Sequence, residues 1–267
     1  MDKFSFNKIR NIVYDTSGIF LSDDKEALVA ARINKRIRKL KLADYKEYTQ
    51  YLLQDDDSEE IQELLDVIST NVTSFYRESD HFDYLREIVR AWFHNNVPKI
   101  RIWSSACSSG EEPYTIAIEI IEALRNSRVN LKILATDINS DVLRKAQKGE
   151  YTEDKMSPVP KNIKIKYFTE LVKKGKRVYK IKDEIKNKVI FRQFNLSTFP
   201  YPLKGNLDAI FCRNVMIYFD KKLRNALIYE FERLLKPGGV LFVGHSESIT
   251  GTTTKLRRIK PSIYLKE

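Results

Sequence analysis

The chain has 267 residues, 42% of them hydrophobic and 31% charged, with only 9 Gly and 8 Pro; this suits one large globular domain or two ordinary ones and excludes collagen-like, low-complexity and wholly disordered chains. No apolar run approaches the ~18 residues of a membrane span, the N-terminus lacks a signal-peptide core, and Cys107 and Cys212 sit in apolar runs as buried thiols would, so a cytoplasmic location is expected. Of the formal net charge of +11, +10 falls between Lys155 and Arg192, where thirteen Lys and Arg meet only three acids, so a basic coat over the whole surface is not expected.

From about Phe4 to Thr70 the pattern is helical. Leu28, Ala31, Ile33, Ile37 and Leu40 recur at three- and four-residue steps, as do Ile61, Leu64, Leu65 and Ile68. Ser22-Asp23-Asp24 offers polar caps ahead of the first set, and the polar cluster from Gln54 to Ser58 reads as a break between helices. Arg32, Arg36 and Lys39 share one face of the helix expected over Lys25–Lys41, with Lys35 and Arg38 beside them, a basic face that spacing alone leaves open between a solvated surface and a docking face.

After Asn96-Val97-Pro98 short apolar runs alternate with helical ones. Strands are expected at Lys99–Cys107, Lys132–Asp137, Lys188–Asn195, Leu207–Asn214 and Gly239–His245, with helices at Glu111–Arg125, Ser140–Lys148 and Lys221–Leu235. That order predicts an α/β fold, a doubly wound and mostly parallel sheet covered on both faces. The last dozen residues, turning at Lys260-Pro261, predict an antiparallel hairpin at its edge. The basic stretch breaks the rhythm: Tyr167-Phe168, Val178–Ile181 and Lys188–Phe191 look like strands around a turn at Lys174-Gly175-Lys176, a small antiparallel insertion at about 155–190.

Three segments carry chemistry. The first strand runs into Ser-Ser-Ala-Cys-Ser-Ser-Gly110, a loop of small residues that lets a ligand approach the backbone, followed by Glu111 and Glu112 at a helix start. Two acids there would repel a phosphate and suit a ligand with a cationic group. Asp137 ends the second strand, near the spacing of an acid that binds ribose hydroxyls, but no G-x-G-x-x-G precedes it; a nucleoside without pyrophosphate fits better, and S-adenosylmethionine is such a ligand. Arg213 and Asn214 stand at the carboxyl end of an apolar strand, where burial without purpose would be costly. The Asn/Asp-Pro-Pro-aromatic run expected of an amine-methylating enzyme is missing there, which counts against an RNA or DNA methyltransferase.

Together, Asn71-Val-Thr-Ser-Phe-Tyr-Arg77, Ser108-Ser-Gly-Glu-Glu-Pro-Tyr114, Ala135-Thr-Asp-Ile138, Asn195-Leu196, Cys212-Arg-Asn-Val-Met-Ile-Tyr-Phe219, Leu235-Lys-Pro-Gly-Gly239 and Gly244-His-Ser-Glu-Ser248 resemble the chemotaxis protein methyltransferases, the CheR family. The resemblance implies a helical N-terminal domain over 1–75 that docks the receptor. It implies a class I methyltransferase domain over 76–267, Rossmann-like, with the β-subdomain inserted in it. The implied reaction moves a methyl from S-adenosylmethionine to glutamate side chains of chemoreceptors, leaving S-adenosylhomocysteine, with no metal. Carried over by motif, the cofactor contacts are Asn71, Thr73, Arg77, Glu112, Asp137, Asn195, Leu196, Arg213 and Asn214, with Glu111 the neighbour that could stand in for Glu112. Arg77 and Tyr218 are the candidates for holding the acceptor carboxylate. The expected partner is the cytoplasmic helical region of chemoreceptors, met by a monomer without nucleic acid or membrane insertion; a receptor C-terminal tail peptide on the β-subdomain is left open.

Overall fold

The computed structural model describes residues 1–54, 59–94, 99–124 and 129–267. The helix break expected at 55–58, the change of texture at 96–98 and the helix end expected at Arg125 lie outside the described residues.

Four helices come first: α1 (Lys3–Ser17), α2 (Glu26–Leu40), α3 (Tyr45–Leu53) and α4 (Glu59–Ile68). The Asp2 carboxylate caps α1 by accepting the Ser5 N–H at 2.9 Å, and Gly18, at φ 71°, ends the helix in the left-handed conformation that glycine adopts most readily. The four helices close on Phe6, Ile9, Val13, Val29, Ile33, Tyr48 and Leu64. Val29, Ile33 and Ile37 form the buried line of α2, whereas Leu28 is 45% exposed. Ser22-Asp23-Asp24 does not cap α2 with a side chain. The Ser22 hydroxyl bonds to Asp24, and Asp23–Lys25 makes a 3₁₀ turn that leads into the helix.

The basic face read on α2 does not form. Arg36 points inward and is buried, its guanidinium bonded to Glu60 at 3.0 and 2.5 Å and to Glu63, all on α4. Held by the buried Glu60 and the half-exposed Glu63, Arg36 leaves that face, and Lys35, Arg38 and Lys39, with Lys25 and Lys41 at the ends, are the exposed basic residues of the region.

Beyond α5 (Asp80–His94) the alternating elements are β1 (Lys99–Ser104), α6 (Glu111–Leu124), β2 (Asn130–Asp137), α7 (Ser140–Lys148), β3 (Glu150–Thr152), α8 (Lys161–Tyr167), β4 (Phe168–Lys173), β5 (Lys176–Ile181), α9 (Asp183–Lys186), β6 (Val189–Gln193), β7 (Leu207–Cys212), α10 (Lys221–Leu234), β8 (Leu235–Val243), β9 (Leu256–Lys260) and β10 (Ile263–Lys266). The main sheet has the order β6-β2-β1-β7-β8-β10-β9. Its first five strands are parallel, and β8-β10-β9 close the edge antiparallel, as the C-terminal pattern predicts. One face packs on α5, α6 and the small sheet through residues such as Phe82, Ile116 and Phe211; the other packs Trp103, Ile210 and Leu241 against Leu227 and Phe231 of α10. Each such side chain stabilises by ~1.5–3 kcal/mol relative to exposure.

The small sheet, in the order β3-β5-β4, is antiparallel. It takes in Glu150–Thr152, ahead of the expected insertion, while the Lys188–Phe191 run belongs to β6 of the main sheet. Tyr167 closes a helix instead of opening a strand.

The chain reverses its direction of growth at β1. From there β2 and β6 extend one side of the sheet, and β7 and β8 the other. The crevice outside the carboxyl ends of β1 and β7 is where a doubly wound sheet binds its ligand.

Candidate active site

A cavity of about 430 Å³ opens at that crevice, between the sheet and the helical unit. All ten site residues read from the sequence line it: Asn71, Thr73, Arg77, Glu112, Asp137, Asn195, Leu196, Arg213, Asn214 and Tyr218. Four strand ends deliver most of them. The loop after β1 is stitched to its neighbours, the Ser105 N–H donating to the Phe211 carbonyl and the Cys107 N–H to Thr136, both at 2.8 Å. Ser108, in a left-handed conformation at φ 47°, turns its N–H onto Asp137 Oδ2 at 2.8 Å. Asn139 N–H donates to Oδ1 at 3.0 Å. Each Asp137 oxygen therefore keeps acceptor capacity for one further donor. Burial pushes the Asp137 carboxyl above the ordinary aspartate value, and the two N–H donors pull the other way.

Arg213 sits at the opposite wall, 6% exposed. Its guanidinium reaches Glu112 at 2.9 Å, Glu78 at 3.0 and 3.3 Å, and the Arg77 carbonyl. The second Glu112 oxygen accepts from the Ser104 hydroxyl at 2.7 Å. Glu111 does not line the cavity. It is buried beneath Lys155, 3.3 Å away, which separates the two adjacent acids and favours Glu112 as the one that faces a ligand.

Glu78, which does not line the cavity but holds residues that do, is the supporting residue that the sequence reading missed. It bridges Arg213 and the Asn214 amide (3.1 Å) from a left-handed backbone at φ 55°, and it lies one residue past the Asn71–Arg77 run. A charged residue directly abutting that run was the available signal. Burial alone would raise Glu78, but Arg213 and Asn214 outweigh it and hold the carboxyl below its ordinary value. His81 lies 3.7 Å from Glu78 with neither ring nitrogen hydrogen-bonded among the described residues, and burial followed by the Arg213 charge pushes it down to about 4. Glu78, His81 and His245 cluster together, yet the nearby Glu78 oxygen already serves the Arg213 guanidinium.

The remaining residues complete the walls. Arg77 donates to the Val72 carbonyl at 2.9 Å, and the Asn71 carbonyl accepts from Ser108 at 3.2 Å. Asn195 reaches across to the helical unit and donates to the Thr16 carbonyl at 2.5 Å, while the Phe20 N–H donates to the Tyr218 carbonyl at 2.8 Å. Ser17, Ile19, Phe20, Leu28 and Arg32 of the helical unit thereby form one side of the cavity.

This donor set fits S-adenosylmethionine. An acid with free acceptor capacity suits ribose hydroxyls, a second carboxylate suits an ammonium group, Ile138, Phe194 and Leu196 offer apolar surface to a base, and the small-residue loop admits the chain between them. Fold and site define a class I methyltransferase dependent on S-adenosylmethionine. Residues 71–265 match the family described as CheR methyltransferase, SAM binding domain, and residues 5–69 match CheR methyltransferase, all-alpha domain. The chain is similar to a chemotaxis protein methyltransferase of Borreliella burgdorferi, with 40% identity over 99% of this chain and 94% of that one. It is also similar to chemotaxis protein methyltransferase 2 of Pseudomonas aeruginosa, with 37% identity over 97% and 91% of the two chains. With the Escherichia coli chemotaxis protein methyltransferase it shares 36% identity over 92% and 84%. The chain belongs to the CheR methyltransferase family, and S-adenosylmethionine is its cofactor.

Proposed function

We propose that the enzyme esterifies glutamate side chains on the cytoplasmic helical region of chemoreceptors, acting as a monomer. The observation that carries this reading is the convergence of Asp137, Glu112 and Arg213 with Arg77 and Tyr218 on a single cavity. The first three would hold the cofactor at its ribose and amino-acid ends. The last two are a half-buried guanidinium and phenol, suited to orienting an incoming carboxylate. Bound S-adenosylmethionine supplies a methyl on a cationic sulfonium, which a glutamate takes in line, the carboxylate electron pair forming the O–C bond as the S–C bond breaks. Glutamate is already ionised at neutral pH, so the protein has no proton to remove. Its work is alignment and the exclusion of water. No His or Cys is required, in keeping with free thiols at Cys107 and Cys212 that burial pushes well above their ordinary value. The basic inserted sheet is read as a docking field for an acidic receptor surface or tail.

The test is mass spectrometry for the gain of one methylene on glutamates of co-expressed receptors, against total RNA as the competing acceptor. Arg77→Ala should lower turnover at saturating cofactor while leaving the melting temperature near that of the wild type. An unchanged rate would make Arg77 structural.

A further inference from the structure

Gly244-His-Ser-Glu-Ser248 follows β8 and contributes nothing to the cavity lining, although the family resemblance rests partly on it. Glu247 is buried, and both of its oxygens are occupied by main-chain donors. Oε1 accepts from Val215 at 2.9 Å and Met216 at 2.7 Å; Oε2 accepts from Asn214 at 2.8 Å and Gly244 at 2.6 Å. Three of these four N–H groups belong to the loop between β7 and α10, which carries Arg213, Asn214 and Tyr218. Asn214 holds a left-handed conformation at φ 58°, a strain that surrounding contacts must offset. Two oxygens with two lone pairs each match four donors, and of the side chains only an ionised carboxylate offers that set. Gly244 makes room for it. A Cβ there would lie 2.6 Å from Asn214 Nδ2 and 2.8 Å from Glu247 Oε2. The Gly244 backbone lies outside the left-handed region, so the need for glycine is this close approach and not conformation.

We propose that Glu247 is a positioning residue: its carboxylate, admitted by Gly244, pins the Asn214–Met216 backbone so that Arg213 and Asn214 face the cofactor and Tyr218 faces the acceptor. The inference rests on the assignment of the cavity to S-adenosylmethionine. Glu247 touches no ligand and acts through the loop.

The test uses the full chain, titrated calorimetrically with S-adenosylhomocysteine and followed by amide hydrogen exchange. Glu247→Gln leaves one acceptor oxygen for four donors. It should weaken binding at least tenfold and speed exchange of the Asn214, Val215 and Met216 amides, with β1 and β2 protected as before. Gly244→Ala, whose backbone accepts alanine, should act in the same direction, and the double variant should lose no more than Glu247→Gln alone, because both break one clamp. If Glu247→Gln does not fold, Gly244→Ala decides. Wild-type affinity in these variants while Asp137→Ala weakens binding would overturn the positioning role and leave the cavity assignment standing. Wild-type affinity in Asp137→Ala as well would overturn the cavity assignment and the inference with it. A uniform loss of protection with unchanged affinity per folded molecule would also overturn the positioning role, making Glu247 a stability residue.

Discussion

Arg36 and Arg213 have the same surroundings on paper. Each is 6% exposed, and each guanidinium is shared between two glutamates. They differ in what lies on the far side. Arg36 is enclosed by the helical unit, where Glu60 takes a further bond from the Tyr48 hydroxyl at 2.8 Å and Glu63 is half-exposed to solvent, and neither glutamate lines the cavity. Arg213 and Glu112 line the cavity, held by Glu78 and Ser104 behind them. A buried ion pair is therefore not a functional signal in itself. Its position at the carboxyl end of a parallel strand, with open space in front, makes it one.

Four experiments would break or sharpen that contrast. The largest effect is expected from Arg36→Met, which strands a buried Glu60 and should cost about 3–5 kcal/mol in urea denaturation, with cofactor affinity of the folded protein unchanged. A loss of affinity there would erase the distinction. Asp137→Ala, on the cavity side, should weaken S-adenosylhomocysteine binding by ~1.5–3 kcal/mol, the value of charge-assisted hydrogen bonds, with unfolding affected less.

The third concerns His81, beside Arg213, which burial first and the Arg213 charge second push below its ordinary value. The folded pKa, about 4, is below the ordinary 6.5, so between those values the unfolded chain binds the extra proton. This contribution to stability is complete above pH 6.5 and is lost as pH falls toward 4, at up to ~1.4 kcal/mol per unit. Denaturation profiles of His81→Phe should lack that slope, while Arg36→Met should retain it.

The smallest effect is expected from neutralising Lys173, Lys174, Lys176 and Arg177 together. Lys173 pairs with Glu150, and Arg177 lies near Glu153 and Glu170, all at exposed or partly exposed positions screened within about 8 Å at physiological salt. Stability and cofactor affinity should barely move. The fall of kcat/KM on intact receptors with rising salt should flatten; a full slope would place the docking field on Lys35, Arg38 and Lys39.

Part of the candidate site was legible in short runs at strand ends, where spacing along the chain and position in the sheet coincide, whereas Asn71, Thr73 and Arg77, between α4 and α5, came only with the family resemblance. Asp137 ends β2 and Arg213 follows β7, and both could be read without knowing any long-range contact. Arg36 could not, since its partner Glu60 comes from another helix and local spacing shows only a charged stripe. Helix α8 was hidden for a different reason. Ile163, Ile165 and Tyr167 alternate as strand residues do, yet Ile163 and Tyr167 are buried one turn apart and Ile165 is 70% exposed. Glu247 was quoted within its run, but nothing local distinguishes an acid that caps four backbone N–H groups from one that faces solvent.

The bonds from Asn195 to Thr16 and from Phe20 to Tyr218 have a consequence for modularity. Although two family domains meet near residue 70, they do not separate cleanly as parts, because Ser17–Leu21 and Arg32 belong to the wall of a cavity whose floor lies in the other. A catalytic fragment cut free of its helices would be left with a trough. A chimera that borrows a relative's helical unit to change targets would have to keep the native Ser17–Leu21 segment, or it would alter cofactor retention and target choice together.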